Sequence, residues 1–314
     1  MSDLPKSVRI HEEGPREGFQ IESADIPTAD KIAFVEALAE TGLRQIDCVS
    51  YVNSQRVPGM RDAEEVAQAI RRRPGVRYTG LWLNTRGLQR ALQMPLDVVG
   101  AIRITASDTF SVRNTGMNIE QTVEEQRRWL AAYRDHSISV EWGYVMTAFG
   151  CNYEGEVSIA QVERMVAQLL ALAEESGVTL KGMYLADTVG HATPLSIERR
   201  IGALRARWPE MKIGLHLHDT RGTGLANAYA ALRLGVDQFD SSCAGLGGCP
   251  FAGHKGAAGN ICTEDLVYMC EEMGIETGID LARLVECAAM AEKIVGHALP
   301  GKVMHSGAAD RRAR

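Results

Sequence analysis

Eight short apolar runs alternating with amphipathic helical stretches predict a (β/α)8 TIM barrel with additional C-terminal helices. Strands separated by helices imply a parallel sheet. The βα units recur at intervals of about thirty to forty residues, and eight of them fill the ~250 residues such a barrel needs. Polar residues also gather at or just beyond the C-terminal ends of the predicted strands, where barrels of this kind carry their chemistry. A doubly wound open sheet is the alternative arrangement of the same elements. No linker, repeat or low-complexity segment divides the 314 residues. Residues 1–314 are therefore read as a single catalytic domain, with a helical extension from about residue 264.

The strands are placed at 8–12, 45–49, 78–83, 98–105, 139–146, 182–186, 213–218 and 238–242. The clearest helices are 29–41, 63–72, 119–134, 158–176, 196–208 and 224–234. Gly42, Gly177 and Gly235 stand where helix C-termini favour glycine. Two further helical segments lie within 264–295. Arg16 and Glu17 follow the first strand, Asp47 and Ser50 end the second, and Asn84 follows the third. Ser107 follows the fourth, Tyr144 and Thr147 end the fifth, and Asp187 and Thr188 follow the sixth. His216 and His218 end the seventh, and the eighth leads into a glycine-rich loop.

Residues two apart on a strand face the same side, so His216 and His218 can converge on one ion. Glu17, in the turn Gly14-Pro15-Arg16-Glu17-Gly18, can add a carboxylate. Such a mixed nitrogen and oxygen set suits a hard-to-borderline divalent cation better than a closed structural zinc. Arg16 offers a planar donor fork for a carbonyl or carboxylate. The blander readings are one packed and one exposed histidine, and a salt-bridged loop. The loop Gly245-Leu-Gly-Gly-Cys249-Pro250-Phe251 is flexible enough to close over a ligand. A thiol there can pass a proton if its pKa is tuned; otherwise it is a small buried side chain in a turn. Glycines 256 and 259 before Asn260 also allow a phosphate cradle. Asn260 either caps the last helix or supplies a carbonyl oxygen to the metal. Asp187 either caps a helix or faces the site. The nucleotide P-loop GxxxxGK[ST] is absent, as are GxSxG, HExxH and GxGxxG.

These residues resemble those of the 3-hydroxy-3-methylglutaryl-CoA lyase family, among the metal-dependent lyase and Claisen-synthase TIM barrels. The likeness rests on GPREGFQ (14–20), YVMTAFGCNYEG (144–155), ADTVGHATP (186–194), HLHDTRGTGLAN (216–227), GLGGCPFAG (245–253) and GNICTEDLVYM (259–269). It spans nearly the whole chain. Asp219 after the second histidine favours the lyase branch over the synthase branch. The resemblance implies that Glu17, His216, His218 and Asn260 bind a divalent metal, Mg2+ or Mn2+. It implies that Arg16 stabilises the enolate oxygen, that Cys249 takes part in proton transfer, and that His216 or Asp187 is the base. It places Asp47, Asn114 and Tyr144 near the substrate, an acyl-CoA thioester, and implies a homo-oligomer. Two departures stand out. Glu17 replaces the family's usual aspartate, and the segment between Cys249 and Asn260 is about two residues longer than usual, with His254 and Lys255 inside it. The family's cysteine near the C-terminus is missing after Ala298. These departures admit a different 3-hydroxyacyl-CoA, longer-branched or citramalyl-type.

Two remoter readings fit less well. A zinc amidohydrolase-like barrel would carry its HxH near strand one and a lysine downstream. A non-catalytic acyl-CoA-binding barrel would not need the full set of Arg16, Glu17, His216, His218 and Cys249. Composition fits a globular protein, and a net charge of −6 speaks against nucleic acid as partner. The basic runs at 71–73 and 311–314 read as solvated ends. Seven cysteines without a CxxC read as reduced thiols. No stretch approaches the ~18 apolar residues of a membrane span. A first strand at residue 8 leaves no room for a leader, so the expectation is a cytoplasmic soluble protein.

Overall fold

A strand covered on both faces must be apolar throughout, and Gly182–Ala186 is buried at every position. The computed structural model describes residues 4–248 and 259–307. Its strands are β1 (Arg9–Glu12), β2 (Gln45–Ser50), β3 (Arg77–Leu81), β4 (Gly100–Thr105), β5 (Val140–Met146), β6 (Gly182–Ala186), β7 (Lys212–His216) and β8 (Gln238–Ser241). The first six helices are α1 (Phe19–Ile21), α2 (Thr28–Ala39), α3 (Ala63–Ala69), α4 (Thr85–Ala91), α5 (Asp108–Thr115) and α6 (Ile119–Asp135). They are followed by α7 (Ile159–Glu175), α8 (Pro194–Arg207), α9 (Gly224–Arg233), α10 (Thr263–Glu272), α11 (Leu281–Val295) and α12 (Val303–Ser306).

All paired strands are parallel, in the order β3-β2-β1-β8-β7-β6-β5-β4. β8 returns beside β1, from Arg9↔Gln238 to Glu12↔Ser241. Joining the last strand to the first is what a barrel requires, and the open doubly wound alternative falls. The fold is the expected (β/α)8 barrel with additional C-terminal helices. Its ladder is interrupted between β3 and β4, where one backbone bond and several side chains do the stitching. The Asp97 N–H donates to the Tyr78 carbonyl at 2.7 Å, and its carboxylate accepts from the Tyr78 N–H at 2.9 Å. Trp82 Nε1 donates to Tyr133 Oη at 3.1 Å, which donates to the Ala101 carbonyl at 3.2 Å.

Three local differences from the expectation have physical causes. α4 and α5 are short helices outside the clearest helical signals, α5 in a stretch read as loop. Each is started by a polar residue at a strand end: Asn84 accepts from the Gly87 N–H, and Ser107 from the Phe110 N–H. β7 ends at His216, two residues early. His218 forms an antiparallel bridge with Asn260, because the Asp219 N–H bonds to the Gly259 carbonyl and the Ile261 N–H to the Leu217 carbonyl. Helix α11 of the C-terminal extension packs on α2 and on the turn Cys243–Gly245. Cys48, Cys151, Cys243, Cys262, Cys270 and Cys287 are buried free thiols. No helix among the described residues is long and apolar enough to cross a membrane.

Candidate metal centre

After β1 the chain enters a five-residue helical turn, Gly14–Gly18, with Pro15 pre-set for its first turn. The turn starts tightly: a Cβ on Gly14 would lie 2.5 Å from Glu12 Oε1. It carries Arg16 and Glu17 over the strand ends. Glu17 Oε1 lies 3.4 Å from His218 Nε2, and Oε2 lies 3.8 Å from His216 Nε2. The two histidine Nε2 atoms face each other at 3.1 Å. These ligand atoms of Glu17, His216 and His218 all lie within 4.8 Å of one another, and all three residues are buried.

Asn260 belongs to the same spot. Its Nδ2 donates to the Leu246 carbonyl, which leaves its buried Oδ1 without a partner. A Cβ on Gly247, which has φ +94°, would meet both Glu17 Cγ at 2.8 Å and Asn260 Nδ2 at 3.1 Å. α10 is capped at Cys262, so the helix-cap reading of Asn260 is not realised. Glu17 Oε2 is likewise buried without a hydrogen bond. Two orphaned oxygens beside two imidazole nitrogens, only one of which can carry a proton toward the other, fit a divalent cation of mixed oxygen and nitrogen preference.

The charges are arranged to keep this set ionised. Burial alone would raise the Glu17 pKa, but Arg16, then His216 and His218, hold it well below the carboxylate range. Burial would lower His216, yet Glu17 and Asp240 outweigh it and the pKa rises. Asp240 Oδ2 on β8 meets His216 Nδ1 at 3.3 Å; its Oδ1 lies 3.3 Å from His11 Nδ1, which hydrogen-bonds with Tyr184 Oη at 3.2 Å. A carboxylate behind a ligating imidazole fixes its ring and tautomer. Sequence reading missed Asp240 and His11. No local pattern in the sequence marks them; the β7–β8 pairing puts Asp240 in register with His216.

Arg16 is held by three carboxylates. Its Nε donates to Asp47 Oδ2 at 3.1 Å, its Nη1 lies 3.3 Å from Glu17 Oε2, and Nη2 pairs with Glu13. Asp47 also accepts from Thr79 Oγ1 at 3.0 Å, so its carboxylate is engaged with protein. Burial raises its pKa against the pull of Arg16. Asp187 accepts from the His191 N–H at 2.7 Å, while its other oxygen is buried and unpartnered. Burial raises its pKa, against the opposing effect of His218. The Tyr144 ring stacks on Tyr184 at 4.7 Å inside the barrel. Asn114 sits on α5, not on a loop, and shares no hydrogen bond with the donor cluster. Cys249, with His254 and Lys255, lies outside the described residues.

A parallel barrel with two histidines, a carboxylate and an amide oxygen converging at its strand ends defines a class, the barrel enzymes built around a cation site. Within that class the chain belongs to the HMGL-like family, whose model matches residues 7–291. The hydroxymethylglutaryl-CoA lyase of Bacillus subtilis is 39% identical over 298 residues, covering 95% of this chain and 96% of that one. The mitochondrial hydroxymethylglutaryl-CoA lyase of Rattus norvegicus is 40% identical over 289 residues, 91% of this chain and 85% of that one. Among solved structures, an HMG-CoA lyase from Acinetobacter baumannii in complex with coenzyme A and 3-methylmalate superposes with a TM-score of 0.86. It is 36% identical and covers 99% of this chain and 97% of that chain.

Proposed function

We propose that this chain is a divalent-metal-dependent carbon–carbon lyase that cleaves 3-hydroxy-3-methylglutaryl-CoA to acetyl-CoA and acetoacetate. The observation that carries this reading is the convergence of Glu17, His216 and His218 within 4.8 Å, beside the orphaned amide oxygen of Asn260. Those four residues would hold the cation, Mg2+ or Mn2+, which when bound polarises the substrate's tertiary hydroxyl and carboxylate oxygens.

Asp187 takes the hydroxyl proton. Its free, buried oxygen and raised pKa suit a group that must accept a proton and later give it up. His216 is less suited, because Asp240 already engages its Nδ1 and its Nε2 faces Glu17 and His218. As the bond between C2 and C3 breaks, its electron pair passes into the thioester as an enolate, and the C3 oxygen becomes the ketone of acetoacetate. Arg16, pre-oriented by Asp47 and Glu13, sets its remaining donors against the enolate oxygen. Cys249 protonates the enolate carbon. The whole chain works as one catalytic domain, in a homo-oligomer.

The test is acetyl-CoA release from 3-hydroxy-3-methylglutaryl-CoA by purified, chelator-stripped protein, with and without Mg2+ or Mn2+. Rapid release that requires the cation is expected. Cation binding without release would overturn the substrate. Glu17 in place of the usual aspartate and the longer 250–259 segment favour, in that event, a different 3-hydroxyacyl-CoA.

A further inference from the structure

Among the described residues, the buried lysine and arginine side chains have polar partners, with one exception. Arg16 has Glu13, Glu17 and Asp47. Lys31 has Asp62 and the Gly59 carbonyl. Arg200 donates to the carbonyls of Ala148 and Val157. Arg103, on β4, has no such partner. Its Nε is buried without a hydrogen bond, and among the described residues no carboxylate oxygen lies within 4.0 Å of it. The segment 249–258 reads Cys-Pro-Phe-Ala-Gly-His-Lys-Gly-Ala-Ala and holds no Asp or Glu; outside the described residues the acidic side chains are Asp3 and Asp310, near the two chain ends.

The position of this guanidinium is what gives it meaning. Arg103 pairs in register with Tyr144, whose ring stacks inside the barrel on Tyr184. Its guanidinium carbon sits 5.6 Å from the Tyr144 ring centroid and 5.8 Å from that of Trp129. Asp47 and Arg16, the flank of the donor cluster, are close enough to act on its charge. Arg103, Tyr144, Tyr184 and Gly214 are in register across β4 to β7, on the face that carries His216, and the arginine keeps some accessible surface. Burial pulls its pKa down, against the opposing effects of Tyr133, Tyr144 and Asp47. A methionine would fill the gap between the two rings without burying a charge. Packing therefore does not account for an arginine here; an anion arriving from outside the protein does.

We propose that Arg103 is a specificity-determining residue that pairs with the free carboxylate of the substrate's acyl group, sharing that two-oxygen group with the cation. The inference rests on the lyase reading above and narrows its substrate to acyl thioesters ending in a carboxylate. Two guanidiniums then divide the substrate, Arg16 at the thioester end and Arg103 at the carboxylate end. Planar donors in a water-poor pocket match a carboxylate better than an ammonium would.

The experiment compares wild type with Arg103→Met and Arg103→Lys. Calorimetry in Mg2+ measures binding of the free acid 3-hydroxy-3-methylglutarate and, separately, of coenzyme A. Arg103→Met should weaken the free acid about 10- to 100-fold, the range for losing hydrogen bonds to a charged group. Coenzyme A affinity should not change, and Arg103→Lys should recover part of the loss. With the thioester, KM should rise far more than kcat falls. Equal affinity of the free acid for wild type and Arg103→Met overturns the inference, as does an equal loss of coenzyme A affinity. The two readings fail separately. Arg103-dependent binding of the acid by a protein that does not cleave the thioester sinks the lyase reading alone. Cleavage with Arg103-independent binding sinks this one alone.

Discussion

Glu12 and Glu17 stand five residues apart, both buried, and their pKa values move in opposite directions. Glu12 closes the seam between β1 and β8. It accepts from the Gly14 N–H and the Cys243 N–H at 2.8 Å and from Thr263 Oγ1 at 2.6 Å. No cation is among its partners, so burial wins and its pKa rises to about 7. Glu17 meets Arg16, His216 and His218, and there the positive charges win. One carboxylate is spent on neutral donors that fix the backbone. The other is kept ionised, with an oxygen that has no hydrogen bond. The same residue type thus serves structure or chemistry according to whether its neighbours are dipoles or cations. Glu264 repeats the first case, accepting from the Ala244 N–H at 2.9 Å.

The largest expected effect is on the cation side of this division. Glu17→Gln keeps the size and removes the charge. Metal-dependent turnover should fall by more than the about 10- to 100-fold that losing an outer partner costs. His218→Ala should abolish it. Thermal unfolding of Glu17→Gln should shift little, because Arg16 keeps Glu13 and Asp47. A Glu17→Gln protein that unfolds early yet keeps full turnover would reverse the roles of the two carboxylates. Asp240→Asn comes next. It leaves the ligands in place but no longer fixes the charge and tautomer of His216, so cation affinity should weaken about 10- to 100-fold. Calorimetry with Mn2+ measures this, and an unchanged affinity would mean that the His216 ring is held by packing alone.

The sequence makes the cation side more legible than the seam. His216 and His218 announce themselves by a two-residue spacing, and the Gly-Pro-Arg-Glu-Gly turn by its glycines, because short-range periodicity encodes both. Asp240, His11 and Glu12 carry no local pattern. Their partners lie on other strands and helices, and only the pairing of β8 with β1 and β7 brings them together. Arg103 was invisible for the same reason: an arginine in a strand reads as surface until its neighbours are known. At strand ends the signal was ambiguous. Asn84 and Ser107 look like site residues in sequence but cap α4 and α5, since a cap and a catalytic group call for the same polar side chains at the same place. The barrel itself was legible from its eight alternations, while the break between β3 and β4 was not, since it depends on Asp97 and Tyr133 side chains rather than on strand pattern.

The smallest predicted effect lies at the seam and is a pH dependence of stability. Burial, the largest influence on both groups, lifts Glu12 to about 7 and Glu264 to about 8, above the ordinary value of 4.5. The folded state therefore holds these protons more tightly than the unfolded chain. Their favourable contribution is complete below pH 4.5 and is lost as pH rises through 7 to 8. Glu264→Gln mimics the protonated side chain and keeps an oxygen for the Ala244 N–H. The variant should thus lose less stability than wild type between pH 5 and 8, by on the order of 1–3 kcal/mol. Urea midpoints at four pH values across that range read the difference, with the other titrating groups common to both proteins. Parallel curves would mean that Glu264 does not change its protonation on folding, and the pH dependence of the seam would then fall to Glu12.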